Sequence, residues 1–160
     1  MFSDKWHYRF MDVARLISSW SKDPSTKTGA VVVGPDKEIR AVGYNGLVRG
    51  VNDDAPERME RPMKYDFFEH AERNAIYNAC LTGTQLKGCV IYATHPPCTD
   101  CTRAIIQSGI SLVVTNGLEE RPDITTANWR DKLSLSEQML KEAGVECIFL
   151  PPKTAAILSE

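Results

Sequence analysis

The residues of this 160-residue chain whose types and spacing could do chemistry are His70 and Glu72, in HAE, and Cys98 and Cys101, in PPCTDC. Residues two apart in a helix point about 200° away from each other, at ~3.6 residues per turn. Pairs that act together along a helix sit three or four apart. His70 and Glu72 therefore make a working pair only if His70 lies at a helix entry, before the helical phase begins. Cys98 and Cys101, three apart, share one face of a helix start. By itself the CxxC fits half of a structural zinc site, a redox pair or two buried thiols. A lone HxE fits a solvated helix start. Together they offer one imidazole and two thiolates, a donor set zinc takes tetrahedrally, with three protein ligands leaving one place for water. A metal there acidifies water toward neutral pH, and two helix N-termini add positive potential beside it. Glu72 must then stay off the metal and move protons. The competing arrangement is a closed structural site with a fourth ligand from Cys80, Cys89, Cys147 or His95. Cys89 and Cys147 read as strand thiols in the core, and Cys80 lies far along its helix. His95 is nearer, in the loop before the cysteines.

The elements that position these residues follow from periodicity and turn signals. Trp6, Phe10, Val13, Ile17 and Trp20 recur at steps of four and three, one apolar face of a helix over 5–21. AVVV (30–33) reads as a buried strand, and a turn at Gly34-Pro35-Asp36 leads into a second strand at 38–44, giving a hairpin. Residues 46–66 form a long polar loop, a length that is usually functional or disordered in a compact domain. A helix at 70–82 ends at Gly83, a strand follows at 89–94, and a helix at 98–108 is capped by Gly109. The pattern continues with a strand at 111–115, a polar stretch at 116–128, a helix at 129–143 and a strand at 145–150. Its sum is an α/β sandwich on a mixed sheet. Residues 1–150 read as one domain and 151–160 as a tail.

Composition narrows the class. With 42% apolar and 25% charged residues the chain is that of an ordinary globular protein. A net charge of −2 argues against a nucleic-acid binder, which carries a basic excess, yet leaves room for a few cations around one phosphate. No apolar run reaches the ~20 residues of a membrane span, and the N-terminus lacks a signal-peptide core. Five cysteines, an odd number, suit a reducing compartment. The expected location is cytoplasmic, with no membrane partner.

The combination H-x-E…P-C-x-x-C is the signature of zinc nucleobase deaminases. From Ser21 to Val145 the chain resembles the deoxycytidylate (dCMP) deaminase family, through SKDPSTKTGAVVV, GYNGLVRGVNDD, HAERNAI, PPCTDC and AIIQSGI. The resemblance implies a three-layer α/β/α cytidine deaminase-like fold with a central mixed five-stranded sheet. It implies zinc-dependent hydrolysis of dCMP to dUMP and ammonia, supplying the precursor of dTMP. His70, Cys98 and Cys101 would bind one Zn2+, and Glu72 would shuttle protons between water, N3 of the cytosine and the departing ammonia. Asn45 would hydrogen-bond the sugar, and the backbone of Ala71 would contact the base. Relatives are commonly homohexamers activated by dCTP with Mg2+ and inhibited by dTTP. The effector site falls around Gly43, Tyr44, Gly46, Arg49 and Asn52.

Two departures stand out. Some relatives hold a second, structural zinc with cysteines in the N-terminal half, whereas this chain has none before Cys80. Many carry a substrate-contacting tyrosine after the strand at 111–115, where this chain has Glu119 in NGLEERPDITTANW. The cations holding the 5′-phosphate are thus the open part of the transfer. The candidates are Lys27, before the first strand, Arg103, two after the second zinc cysteine, Arg121 and Arg130, which flank the altered segment, and Arg49, Arg58, Arg61 and Lys64 in the long loop; each of them also reads as a solvated surface charge. Tyr65, Phe67 and Phe68 precede His70 and suit either stacking on a pyrimidine or core packing. The alternatives are a deaminase of CMP or dCTP, and a zinc-stapled nucleotide-sensing protein without turnover.

Overall fold

The computed structural model describes residues 2–117 and 127–153. The chain runs through α1 (Asp4–Ser18), the hairpin β1 (Gly29–Val33) and β2 (Ile39–Tyr44), β3 (Gly46–Leu47), a 3-10 turn at Pro56–Met59, α2 (Lys64–Phe67) and β4 (Phe68–Glu69). It continues through α3 (Ala71–Thr82), β5 (Val90–Ala93), α4 (Thr99–Gln107), β6 (Leu112–Asn116), α5 (Ala127–Glu142) and β7 (Glu146–Leu150). The central sheet has the order β2-β1-β5-β6-β7, antiparallel at β2/β1/β5 and parallel at β5/β6/β7. It is the expected mixed five-stranded sheet.

Alternation along β1 sorts the layers, because successive side chains on a strand face opposite ways. Val31 and Val33 pack with Tyr92, Val114 and the α1 residues Phe10, Met11 and Ala14. Ala30 and Val32 pack with Ala71, Ala75 and Ala79 of α3, Ile105 of α4 and Leu140 of α5. One helix covers one face, and α3, α4 and α5 cover the other.

The α1 face is rotated from its expected phase. Its buried residues are His7, Tyr8, Phe10, Met11, Ala14 and Ile17, while Trp20 lies past the helix end and is 55% exposed. His7 is a core group with a partner, its Nδ1 3.0 Å from the Tyr92 hydroxyl. The helix closes where Ser18 and Ser19 donate their hydroxyls to Arg15 O (2.7 Å) and Leu16 O (2.6 Å), a bonding habit that competes with continued helix.

The 46–66 segment is also better organised than a bare loop. Gly46 pairs with Glu69 and Leu47 with Phe68, so its two ends meet just before His70.

Helix α3 sits unusually close to the sheet. A Cβ on Gly43 would fall 2.4 Å from both Ala71 O and Ala75 N. Across the sheet a Cβ on Gly29 would fall 2.1 Å from Ala14 O of α1. Gly43, expected at an effector site, thus has a packing reason of its own. Asn74 and Asn78 of α3 donate to Tyr44 O and Val42 O, both at 2.8 Å. They occupy outward carbonyls of β2, an edge strand whose unpaired groups need cover. Gly43→Ala is expected to lower stability by about 1–3 kcal/mol through overpacking. Gly46→Ala places its methyl 3.8 Å from the nearest atom and should stay within ~0.5 kcal/mol of wild type. Urea denaturation of both variants measures this, and equal losses would refute the packing role.

Candidate functional site

Two helix starts bring the ligating side chains together. His70 caps α3 with extended backbone, φ −77° and ψ 153°, so its imidazole is not bound to the helical phase of the residues that follow. Cys98 caps α4 in the same manner, φ −71° and ψ 171°, and Cys101 follows in the first turn. Cys98 Sγ and Cys101 Sγ are 3.6 Å apart, and His70 Nδ1 lies 3.5 and 3.4 Å from them. Zinc bonds of ~2.3 Å to sulfur and ~2.0–2.1 Å to nitrogen, at tetrahedral angles, put sulfurs ~3.8 Å apart and nitrogen ~3.5 Å from sulfur. The triangle fits. Among the described residues no fourth histidine, cysteine or carboxylate joins it, and His95 instead places Nδ1 3.0 Å from Thr94 Oγ1.

The electrostatics call for a cation. Contact with the Cys101 thiol, and then with His70, brings the Cys98 thiol down to about 4. Contact with Cys98, and then burial, holds Cys101 well above the ordinary thiol range. The pair gives up one proton readily and the second only against a nearby positive charge. Contact with Cys98 raises the His70 imidazole. Burial pushes the Glu72 carboxyl up, opposed by the charge of His70.

A pocket of about 310 Å³ opens beside this cluster. Its wall includes His70, Glu72 and Cys98, then Asn45, Thr26 and Thr28, and also Arg61, Lys64, Tyr65 and Phe68. Glu72 is 6% exposed and outside the ligand triangle. A carboxylate so placed can exchange protons with whatever occupies the pocket. Three ligands, an open side and a buried carboxyl are the parts of a hydrolytic metal site.

Residues 4–116 match the cytidine and deoxycytidylate deaminase zinc-binding region. The chain belongs to this family. It is 44% identical, over 92% of its length and 95% of the relative's, to an uncharacterized deaminase encoded in the luxG 3′ region of Aliivibrio fischeri. It is 40% identical to human deoxycytidylate deaminase over 69% of this chain and 64% of the human protein, so it spans a little under two thirds of that relative. Among solved structures, dCMP deaminase of the cyanophage S-TIM5 in complex with dCMP and dUMP superposes with a TM-score of 0.71. That match has 26% identity and covers 94% of this chain and all of the other.

Against the family pattern, several expected residues fall elsewhere. Lys27 and Arg103 are exposed and outside the pocket wall, and Arg103 is paired with Asp100 on its own helix. Arg130 is exposed on α5, while Glu119 and Arg121 lie outside the described residues. Ala71 packs its side chain into the core. At N1 of α3 it carries one of the backbone N–H groups that a helix start leaves without an intrahelical partner. Asn45 lines the pocket, but its amide is already engaged. Oδ1 accepts from Thr28 N at 2.7 Å, and Nδ2 donates to Thr26 O at 2.7 Å and Asp23 Oδ2 at 3.0 Å. One lone pair of Oδ1 is what remains for a ligand. Of the effector candidates, Tyr44 meets Trp20 edge to face at 6.2 Å, and Arg49 donates to Asn78 at 2.7 Å. Asn52 Oδ1 caps Asp54 N at 2.9 Å.

Asp23 had no assigned role in the sequence, and Lys64 was one of the loop cations that read as solvated surface charges. Asp23, 1% exposed, accepts from Ser25 N and Thr26 N at 2.8 and 3.1 Å, and Lys64 Nζ reaches it at 2.5 Å. Lys64 also donates to Ser25 Oγ at 2.8 Å, so the charge read as a surface cation is buried. The D-x-S-T spacing of an Asx turn was the available signal for Asp23. Nothing local marked Lys64, whose partner lies 41 residues away. Burial alone would raise the Asp23 carboxyl; Lys64, Ser25 and Thr26 outweigh it and hold it below the usual range. A depressed folded pKa gives stability present above the unfolded pKa of ~3.9 and lost as pH falls through the folded value. Lys64→Met strands the buried carboxylate, at a cost of about 3–5 kcal/mol near pH 7. The deficit should shrink as Asp23 protonates below pH ~4; denaturation curves at pH 7 and pH 3.5 test this, and a pH-independent deficit would refute it.

Proposed function

We propose that this chain hydrolyses dCMP to dUMP and ammonia, with His70, Cys98 and Cys101 holding one zinc ion and Glu72 carrying protons. The observation that carries the proposal is a zinc-sized ligand triangle and a separate buried carboxylate in the wall of one pocket. The solved relative with dCMP and dUMP bound supports the choice of nucleotide. When bound, the metal would supply an acidified water as nucleophile at neutral pH.

The chain's own residues account for the remaining work. Glu72 takes a proton from the attacking water and delivers one to N3 of the cytosine, so that C4 accepts the oxygen without building up negative charge on the ring. It then passes a proton to the exocyclic amine as the C4–N4 bond breaks. The balance is dCMP and water in, dUMP and ammonia out. The first-turn amide of Ala71 is suited to the base carbonyl, since helix-start N–H groups favour anionic or carbonyl oxygen. Asn45, with its remaining lone pair, is suited to accepting a sugar hydroxyl. Thr26 and Thr28 share its wall.

The wider reading follows the family. dUMP would feed dTMP synthesis, in the cytoplasm where free nucleotides are consumed, and the functional unit would be a homohexamer. dCTP with Mg2+ would activate and dTTP inhibit, through Tyr44, Gly46, Arg49 and Asn52; Gly43 belongs there only as the packing glycine beneath them.

Glu72→Gln should keep zinc at the wild-type ratio by metal analysis and lose about 10²–10⁴ in turnover, the usual worth of a positioned general acid–base. Retained turnover would remove Glu72 from the mechanism. Ammonia release from dCMP, CMP, dCTP and deoxycytidine, each repeated with dCTP plus Mg2+ or with dTTP, tests the substrate and the effectors. Preferred turnover of CMP or dCTP would overturn the dCMP assignment, and zinc-loaded protein without turnover would leave a nucleotide-sensing role.

A further inference from the structure

The wall of the pocket carries an arginine that has no acidic partner among the described residues. Glu69 is paired with Arg73, and Asp23 with Lys64. Lys64 is further held by Ser25 Oγ and lies over the Phe68 ring at 5.3 Å, so its charge is compensated where it sits. Arg61 lines the same cavity, and it takes part in none of the ion pairs among the described residues. Its guanidinium lies 5.8 Å from the ring of Tyr65, which also lines the pocket. Lys27 and Arg103, two of the other cations considered for a phosphate, are outside the wall.

We propose that Arg61 reads the 5′-phosphate of the nucleotide substrate, and so selects a nucleoside monophosphate over the unphosphorylated nucleoside. This rests on the dCMP reading above. A guanidinium presents a planar fork of N–H donors that matches phosphate oxygens two at a time. Among the described residues Arg61 has no carboxylate to exchange when the dianion arrives. The buried Asp23–Lys64 pair acts beneath it as a fixed floor, tying the start of α2 to the 23–28 turn, so Arg61 is delivered to the rim from an anchored segment. Tyr65, 65% exposed and at the same rim, limits where the guanidinium can go.

The test compares kcat/KM for dCMP and for deoxycytidine in wild type, Arg61→Gln and Arg61→Lys, with binding of dUMP and deoxyuridine measured in parallel by calorimetry. Loss of a charged hydrogen-bonding partner should cut the dCMP-to-deoxycytidine ratio about ten- to a hundredfold in Arg61→Gln. The change should appear mainly in KM, and Arg61→Lys should recover part of it. The dUMP-to-deoxyuridine affinity ratio should fall in step. A ratio that survives Arg61→Gln, or equal losses on both substrates, overturns the role of Arg61 while leaving the dCMP reading intact. Wild-type protein that neither turns over dCMP nor binds dUMP overturns the reading beneath it and the inference with it.

Discussion

The close seat of α3 on the β1–β2 hairpin is the constraint on which the site depends. The alanines at 71, 75 and 79 recur every four residues, the spacing that keeps side chains on one helix face, and they meet Ala30, Ala41 and Ala93 on the sheet. Small residues on both sides let the backbones approach, and Gly43 takes the closest point, where even one methyl would overlap Ala71 O and Ala75 N. Depth matters because the ligand triangle is built from two different helices. An outward shift of α3 by the width of a methyl would carry His70 away from the α4 sulfurs by more than the tolerance of a metal–nitrogen bond. The core packing of this layer is therefore also what aligns His70 with Cys98 and Cys101.

The polar half of the pocket is built on a different principle. No apolar side chain could hold the 21–28 segment in place, since it is Ser-Lys-Asp-Pro-Ser-Thr-Lys-Thr. Asp23 gathers the amides of the turn, and Asn45 ties the turn back to the end of β2 through Thr26 and Thr28. Ser21 Oγ closes the loop onto Asn45 O at 2.7 Å. Such a network is rigid only when every member is satisfied. Lys64 completes it by neutralising Asp23. The cost of burying both charges is offset by a wall whose hydrogen-bonding groups are fixed before a ligand arrives, the preorganisation on which polar recognition depends.

How much of this was legible in the sequence follows from how local each signal is. The hairpin and the alternating strands and helices are periodicities read within a dozen residues, whereas the three layers and the five-stranded sheet were implied by the family resemblance, and the structure matches both. HxE and CxxC are short spacings, each ambiguous alone, and it was their combination that let the residues of the triangle be named before their distances were known. What escaped was long-range. Lys64 looks like any lysine in a charged loop until Asp23 is folded against it. His7 counts as polar until Tyr92 meets its ring, and the buried face of α1 adds Tyr8, Met11 and Ala14, which the expected stripe did not include. The pairing of Gly46 with Glu69 spans more than twenty residues of polar chain and left no periodic trace. Lys27 was expected from its turn before the first strand and Arg103 from its place two after Cys101, and neither position decides which way a side chain faces.

The GYNG run has a structural meaning apart from any ligand. Its first residue is the packing glycine under α3, its second offers a carbonyl to Asn74, and its third holds the pocket turn through Asn45. Its fourth pairs with Glu69, next to the first zinc-type ligand. Four consecutive residues thus touch the ligand-bearing helix, the polar wall and the strand that leads into His70. A ligand whose binding differs between two positions of this run would bias both halves of the site directly, because allosteric coupling needs a shared element with two arrangements rather than a long path. The exposed Tyr44–Trp20 edge contact and the Arg49–Asn78 bond lie on the outer side of the same run. An effector that rearranged either would pull on β2 or on α3 itself, with no intervening element to absorb the strain.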